Sequence, residues 1–259
     1  MDTTNESSAA ASAPRPFHSV DVQVDRVWGL RAAYMSMLCC YHSEPVADFP
    51  EMPSNVLTLE QRVTDVLTKG HWSIAEQIPV FVTLSGIPHD VAMQFRTHRH
   101  LSCQVTSQRY TGDRLLAVNP YSLPADWIAE MFYLQPPGRY RGRASQMHSR
   151  NGVYEITREQ YAEAEQAVRN GVEVFQLLVR AGQPEETARR FLPQGIRQNM
   201  VLGGNLRSLL HVCSVRTMLD AQLDCRLVAE EIVAQLTAQL PTIMAAWAPK
   251  YHRRNRLAP

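Results

Sequence analysis

One long amphipathic segment, residues 157–182, sets the strongest limit on the fold. Thr157 and Gln160 have the spacing of a capping box, and Gly182 is a typical residue at a helix end. Between them, apolar side chains recur at spacings of three and four, at Tyr161, Ala164, Val168, Val172, Phe175 and Leu178. This period predicts a long helix with one buried face, so a second layer of structure must cover it.

The N-terminal part of the chain instead shows the two-residue alternation that is typical of a β-strand. Val20, Val22 and Val24 alternate with polar residues, which predicts a half-buried strand, and a β-rich run follows at residues 80–84. Start and stop residues predict a helix over residues 30–41, a second from the Thr58–Gln61 capping box to Gly70, and a helix start at the Ser73–Glu76 spacing. They also predict a short helix from Pro88 to Arg96, another that begins at Pro184, and a pair of helices over residues 205–236. The buried candidates in that pair are Leu209, Leu210, Val212, Val215, Leu219, Leu223 and Leu227.

Strands early and helices late favour an α+β fold. We therefore expect a mixed sheet with helices and no Rossmann domain, because no G-x-G-x-x-G run is present. The chain has 259 residues and no linker-like composition in its middle, so residues 19–259 are predicted to form a single catalytic domain. Residues 1–18 are rich in Ser, Thr, Ala and Pro and are predicted to be a disordered arm.

Charge and cysteine content exclude several classes of protein. Lys plus Arg number 26 against 25 Asp plus Glu, so the net charge of +1 does not favour nucleic acid or a membrane as partner. The five cysteines form no C-x-x-C pair, which argues against a disulfide framework and a zinc knuckle. The N-terminus lacks the pattern of a signal peptide, and no apolar run is long enough to span a bilayer. A cytoplasmic location is the expectation.

Arginine and histidine are concentrated in three clusters. These are Arg96, His98, Arg99, His100, Ser107 and Arg109; Arg189, Arg190 and Arg197; and Asn205, Arg207, His211 and Arg216. Guanidinium groups present a rigid fork of donors, and several converging on one pocket suit a nucleotide. A single helical arginine is more often solvated or ion-paired, so the interpretation depends on the joint pattern.

Other chemistries have weaker support in the sequence. His98 and His100, with His89 nearby, lack further ligands at metal spacing, so no metal site is predicted. Ser102 and Ser107 lack a G-x-S-x-G elbow, and no cysteine lies in a catalytic motif. The sequence alone therefore gives no sign of a covalent nucleophile.

Four segments resemble one family. Thr97-His98-Arg99, seven residues, then Ser107-Gln108-Arg109-Tyr110 is similar to the R-H-R, seven residues, S motif of flavin-dependent thymidylate synthases. Residues 70–76 resemble the family's G-H-x-S/T-x-x-E run, residues 205–216 with Ala221-Gln222 resemble its N-x-R-S-L-x-x-F-x-x-x-R region, and Ala188-Arg189 before Leu192-Pro193 is a fourth match. Together they cover roughly residues 65–230 in the family's order.

The resemblance implies reductive methylation at carbon 5 of a uridylate, UMP or dUMP. Methylenetetrahydrofolate would give the carbon, FAD would carry hydride and NADPH would supply it, in a homotetramer with active sites between subunits. The matching catalytic positions are Arg216, against the pyrimidine, and Ser107. The substrate-binding positions are Gln94, Ser107, Gln108, Arg109, Arg189 and Arg216. The cofactor-binding positions are His71, Ser73, Thr97, His98, Arg99, Asn205, Arg207 and His211.

Three positions depart from the family pattern. Thr97 stands where the first arginine of R-H-R is expected, Gln77 where a histidine is frequent, and Val105 where a glutamate is common. A hydroxyl cannot replace a guanidinium at a phosphate or flavin carbonyl, and Arg96 points about 100 degrees away on a helix. These changes suggest a specialised relative, of the UMP/dUMP methylase type found in polyoxin-type nucleoside antibiotic biosynthesis.

Other interpretations stay open at this point. One is a housekeeping thymidylate synthase specific for dUMP. Another is a flavin- or uridylate-binding protein that has lost turnover through the change at Thr97. A third takes the basic segment 251–256 as a nucleic-acid arm, although a short basic tail is more often solvated or packed on a neighbouring subunit.

Overall fold

The computed structural model describes residues 20–109, 112–141, 153–254 and 257–258. Its strands are β1 (Asp21–Val24), β2 (Pro79–Pro88), β3 (Ser102–Val105), β4 (Gly138–Arg141), β5 (Val153–Ile156) and β6 (Arg197–Asn205). Its α-helices are α1 (Leu30–Tyr41), α2 (Val56–Thr68), α3 (His89–Arg96), α4 (Asp113–Leu116), α5 (Ala125–Met131), α6 (Arg158–Arg180), α7 (Glu185–Ala188), α8 (Leu206–Arg216), α9 (Leu223–Gln239) and α10 (Pro241–Tyr251). The predicted arm, residues 1–18, lies outside the described residues, and the single domain stays a prediction.

Four strands form the main sheet in the order β1-β2-β6-β3, and β4 and β5 form a separate pair. The α+β class is confirmed. The expected mixed strand direction is wrong in detail, because every described pair is antiparallel. The register aligns Val22 with Leu84 and Val82 with Leu202, so the even-numbered side chains of these strands share one buried face.

Strand β6 occupies a central place that the sequence interpretation missed. Its polar and glycine-rich sequence, RQNMVLGGN, has few of the residues typical of strands. The two glycines are explained by close packing: a Cβ on Gly204 would lie 2.6 Å from the Leu101 side chain, and one on Gly203 would lie 3.1 Å from the Phe81 ring. Tertiary packing, rather than strand propensity, thus determines this strand.

Helices cover the buried sheet face and form the larger core. Helices α1, α2, α8, α9 and α10 contribute to it, with Trp247 and Phe95 fully buried. A smaller core lies around α6, where Val172 and Phe175 pack with Phe132. The predicted Thr157–Gln160 capping box is present: Gln160 N donates to Thr157 Oγ1 at 3.2 Å, and Thr157 N donates to Gln160 Oε1 at 2.9 Å.

Several local predictions need correction. Helix α2 begins at Val56 and is capped by the Asn55 side chain, because Asn55 is a better cap than the predicted Thr58. Residues 72–77 form a 3₁₀ helix that leads directly into β2. Leu219 and Leu227 are 57% and 56% exposed, since Leu219 lies in the turn before α9 and Leu227 lies on the face of α9 away from the core.

A buried carboxylate connects α2 to α10. Glu60 is only 1% exposed, and its Oε1 accepts hydrogen bonds from the backbone N–H groups of Thr242 and Ile243 at 2.8 and 2.9 Å. These groups lie in the first turn of α10, where no helical carbonyl is available to them. The negative charge also complements the positive end of the helix dipole. Glu60 therefore caps a helix 182 residues further along the chain.

Replacing Glu60 with alanine should lower the free energy of unfolding by about 2–3 kcal/mol, because one buried and one partly buried N–H group lose their acceptor. Glu60→Gln keeps a carbonyl acceptor and should lose less than half of that amount. Glu163→Ala, at an exposed helical position, is the control and should stay within about 0.5 kcal/mol of the wild type. Urea unfolding followed by circular dichroism measures all three, and equal stability of Glu60→Ala and Glu163→Ala would contradict the capping role.

Candidate active site

Helix α8 carries the centre of the candidate site. Its first turn is capped by Asn205, whose side-chain oxygen accepts from Ser208 N at 2.9 Å. Its apolar residues, Leu206, Leu209, Leu210, Val212 and Cys213, are buried in the larger core. Arg207 and His211, four residues apart, therefore share the open face of the helix, and Arg216 ends it.

The Arg216 guanidinium is held by the end of helix α3. Its Nε donates to His98 Nε2 at 2.9 Å, and its Nη1 donates to the side-chain oxygen of Gln94 at 2.9 Å. Its Nη2 donates to the backbone oxygen of Gln94 at 2.8 Å and to the hydroxyl of Thr97 at 3.2 Å. The structure thus brings together four residues that the sequence analysis assigned separately to the nucleotide and the flavin.

Helix α3 is suited to hold a cation at this end. Val91, Ala92 and Phe95 are buried and fix the helix against the core, which leaves its last turn beside Arg216. The final carbonyls of a helix lack helical partners and carry the negative end of the dipole. The Gln94 carbonyl is one of these, and the Arg216 cation satisfies it.

His98 is held as a neutral acceptor. Because an Arg216 N–H points at its Nε2, that nitrogen must carry the lone pair. Burial, followed by the positive charge of Arg216 and smaller contributions from His211 and His100, lowers the pKa of His98 from its usual 6.5 to about 4. Geometry and electrostatics therefore agree that His98 is uncharged near neutral pH.

The two buried cysteines, Cys213 and Cys225, are not poised for nucleophilic attack. Burial raises the pKa of Cys225 to about 12, although the charge of Arg216 opposes this shift. Burial also raises the pKa of Cys213 to about 12. Since the thiolate is the reactive form, both side chains are poor nucleophiles at neutral pH.

A cavity of about 310 Å³ lies on the open face of α8, lined by Glu76, His100, Arg207, Ser208 and His211. Arg207 Nη1 donates to Glu76 Oε1 at 2.6 Å. Glu76 and Ser73 are three apart in the 3₁₀ helix, where such side chains lie one above the other, and both are exposed. The motif spacing could have indicated Glu76 as a site residue, since it ends the G-H-x-S-x-x-E run.

The end of the chain contacts the same cavity wall. His211 Nδ1 lies 3.0 Å from the backbone oxygen of Ala258, and Ala258 N donates to the Ser214 hydroxyl at 3.0 Å. As the carbonyl can only accept, His211 donates from Nδ1. No sequence pattern indicated this contact, because it joins residues 47 apart through a backbone atom.

The second predicted catalytic residue, Ser107, lies on another element. Ser107, Gln108 and Arg109 follow β3, and Arg109 Nε is paired with Glu186 of α7 at 3.1 Å. Gln108 lines a cavity of about 190 Å³ with β6 residues. Arg189 follows α7 in a short 3₁₀ helix and is half-buried. The four hydrogen bonds of Arg216 go to α3 and its end, not to this group.

Two predicted flavin positions are at the periphery. His71 precedes the 3₁₀ helix and is exposed, with its ring in edge contact with Tyr41 at 5.7 Å. Arg99 is exposed one residue beyond His98. A further cavity, of about 380 Å³, is lined by residues of β1 and α9 with Tyr133, and it contains none of the predicted site residues.

Comparison with known proteins places this arrangement in a family. The family model of the thymidylate synthase complementing proteins matches residues 28–242. The chain belongs to this family. A flavin-dependent thymidylate synthase of Halobacterium salinarum is 31% identical over 221 residues, covering 78% of this chain and 80% of that protein.

Two solved structures share the fold. The Helicobacter pylori thymidylate synthase X with FAD and dUMP has a TM-score of 0.67 at 17% identity, covering 88% of this chain and 99% of that one. A UMP/dUMP methylase of Streptomyces cacaoi bound with 5-Br dUMP has a TM-score of 0.65 at 17% identity, and the match covers 93% of this chain and 98% of that one.

Family membership confirms the resemblance and the predicted enzyme class, a flavin-dependent uridylate methyltransferase. Among the described residues, no group of three or more His, Cys, Asp or Glu side chains could hold a metal ion. Within the same part of the chain, no helix is long and apolar enough to cross a membrane.

The neutral state of His98 gives the stability a pH dependence. The unfolded chain binds a proton on this histidine below about pH 6.5 and the folded chain only below about pH 4, so the stability it contributes falls as pH drops between these values. His98→Gln keeps an acceptor for Arg216 without titrating. Between pH 7.5 and pH 4.5, the free energy of unfolding of the wild type should therefore fall by roughly 1–2 kcal/mol more than that of this variant, a range that allows for the partial solvent exposure of His98.

Urea unfolding at a series of pH values measures the difference. His71→Gln, at an exposed histidine, is the control and should keep the wild-type slope. Parallel pH profiles of the wild type and His98→Gln would show that His98 titrates normally in the folded protein.

Proposed function

We propose that this protein catalyses the reductive methylation of UMP or dUMP at carbon 5. The uridylate, methylenetetrahydrofolate, NADPH and a proton would give the 5-methyl nucleotide, tetrahydrofolate and NADP⁺. The observation that carries the proposal is the clamped Arg216 guanidinium at the end of α8, the helix whose Arg207, Ser208 and His211 line a cavity rich in donors. When bound, FAD would supply the hydride transfer that the side chains cannot perform.

Arg216 is assigned to the pyrimidine. A fixed positive charge favours negative charge that develops on the ring and its carbonyl oxygens, and a guanidinium already held in place needs no reorganisation. Burial lowers the pKa of Arg216, but an arginine in a protein stays charged. Gln94, on the same clamp, would bind the nucleotide together with it.

The open face of α8 is assigned to the flavin. Arg207, Ser208 and the histidines of the cavity present donors that fit the phosphate and carbonyl oxygens of FAD. The family motifs match His71, Ser73, Thr97, His98, Arg99, Asn205, Arg207 and His211 to flavin-contacting positions, and of these Asn205 acts through the cap of α8. Glu76 orients Arg207 by their ion pair.

The nucleotide phosphate is assigned to a different surface. Ser107, Gln108, Arg109 and Arg189 lie near β3 and α7, while Arg216 lies at the end of α8. Their placement on different elements supports active sites completed between subunits of a homotetramer, in which one chain supplies Arg216 and another supplies the phosphate-binding residues. Ser107 would act there as a second catalytic residue.

The substrate preference is proposed to include the ribonucleotide, with a role in nucleoside antibiotic biosynthesis in the cytoplasm. The departures at Thr97 and Val105 support it. Val105 is partly buried, opposite Met200 and against the larger core, so it supplies no charge to the site. A housekeeping synthase specific for dUMP is the second candidate, favoured by the named relatives of higher identity.

Tritium release from carbon 5 of labelled UMP and dUMP, with FAD, NADPH and methylenetetrahydrofolate supplied, tests the proposal. Release from UMP at a rate comparable to dUMP supports the antibiotic-type methylase, and release from dUMP alone supports the housekeeping enzyme. Bound flavin with no release from either would overturn the proposal in favour of a binding protein that lacks turnover.

Replacing Arg216 with alanine should lower kcat/KM at least about 100-fold, because the charge beside the reacting ring is lost. Arg216→Lys keeps the charge but cannot make the four hydrogen bonds, so an intermediate loss is expected. Arg226→Ala is the matched control, since Arg226 also donates to backbone oxygens, those of Leu219 and Arg141. Steady-state kinetics that find Arg216→Ala as active as Arg226→Ala would remove Arg216 from the mechanism.

A further inference from the structure

Thr97 stands at the contact between helix α3 and Arg216. Its hydroxyl donates to the backbone oxygen of Gln94 at 2.7 Å and accepts from Arg216 Nη2 at 3.2 Å. The same Gln94 oxygen accepts from Arg216 Nη2 at 2.8 Å. The hydroxyl, the carbonyl and the guanidinium thus form a closed triangle of hydrogen bonds.

With this triangle, Arg216 makes four hydrogen bonds within the chain. A guanidinium has five N–H groups. Nε donates to His98, Nη1 donates to the Gln94 side chain, and Nη2 donates to both the Gln94 carbonyl and Thr97. Nη1 carries a second hydrogen that none of these bonds uses and that is left for a ligand.

An arginine at position 97 could not take this place. Its side chain has donors and no acceptor, so it cannot receive the Arg216 Nη2 hydrogen, and it would put a second positive charge beside the first. A threonine hydroxyl has both a donor and acceptors, and it carries no charge. The residue that departs from the family motif is therefore the one whose chemistry fits the observed clamp.

We propose that Thr97 is a positioning residue that fixes the Arg216 guanidinium for the uridylate, rather than a ligand of the flavin. This inference rests on the proposed function. In this arrangement the hydroxyl and the Gln94 carbonyl together hold the Nη2 end, so the unused Nη1 hydrogen would keep a constant direction toward the base. Loss of the hydroxyl should thus affect the nucleotide and leave flavin retention unchanged.

Three substitutions separate the effects of the hydroxyl. Thr97→Val keeps the shape and removes both hydrogen bonds, Thr97→Ser keeps them, and Thr97→Arg restores the family residue. Thr68→Val is the matched control, because Thr68 ends α2 with the same bond from its hydroxyl to a backbone oxygen, that of Asp65 at 2.9 Å. No arginine is bonded to Thr68 in the described part of the chain.

The holoenzyme variants are compared in kcat, KM for UMP and dUMP, and flavin content. Thr97→Val should lower kcat/KM roughly tenfold, the effect of one hydrogen bond to a charged group, with kcat reduced as well as KM raised. Thr97→Ser and Thr68→Val should stay within about twofold of the wild type. Thr97→Arg should be no better than Thr97→Val, and all variants should retain wild-type flavin content.

A second measurement does not depend on turnover. In protein labelled with ¹⁵N-arginine, the Nε–H signal of Arg216, assigned by its loss in Arg216→Lys, reports whether the guanidinium is held. Its exchange with solvent should accelerate in Thr97→Val and not in Thr97→Ser or Thr68→Val. If the Arg216 Nε–H exchanges slowly in the wild type and fast in Thr97→Val, but no tritium is released, the positioning inference stands and the proposed function is wrong.

Other results would overturn the inference. One is equal kinetics and equal Nε–H exchange in Thr97→Val and the wild type. Another is loss of flavin from Thr97→Val with nucleotide parameters unchanged, which would make Thr97 a flavin ligand. A third is higher activity in Thr97→Arg than in the wild type, which would show that the family arginine suits this site better.

Discussion

The direct junction between β6 and α8 determines the geometry of the site. Asn205 is the last residue of the strand, pairs with Pro79 in the sheet, and caps the helix that begins at the next residue. With no loop between them, the register of the central strand fixes where α8 begins and how it lies on the sheet. Leu206 N also donates to the Ile78 carbonyl at 2.8 Å, so both sides of the junction are attached to the same neighbouring segment.

The placement of α8 brings several basic side chains close together, and the surrounding residues reduce the repulsion between them. Arg207, His211 and Arg216 bring positive or potentially positive groups onto one side of the molecule, with His98 and His100 nearby. Glu76 balances Arg207, and His98 stays neutral and accepts a hydrogen bond. Arg216 is compensated mainly by oxygen atoms rather than by a carboxylate. Its full charge is therefore available to an anionic or polarised ligand.

The sequence predicted α1, α2, α3, α6, α8 and α9 because their signals are local, and it missed α4, α5 and α10. The Thr157–Gln160 capping box, the Pro88 start and the apolar period of α6 each act within a few residues, and the structure contains all of them. The family motifs also identified Arg216, Gln94, Thr97 and His98 as site residues, although they assigned the first two to the nucleotide and the last two to the flavin. The contacts among the four were not predictable, because they depend on how α3 and α8 lie relative to one another.

Features set by distant packing were missed for the same reason. Strand β6 has glycines where side chains would collide with Leu101 and Phe81, which removes the local strand signal. The Glu60 cap and the Ala258 contact with His211 join residues that no short pattern relates. The exposure of Leu227 depends on which face of α9 meets the core, and a helix with apolar residues on several faces does not decide this from its sequence.

The position of β6 between β2 and β3 also bears on how the chain is made. Strand β3 pairs only with β6 within the described sheet, so it has no partner until residue 205 has left the ribosome. At about 5–20 residues per second, synthesis from residue 105 to residue 205 takes roughly 5–20 s. During this interval β2 presents an unpaired edge with a strongly apolar face. A nascent chain of this length thus exposes a strand edge that a chaperone could cover.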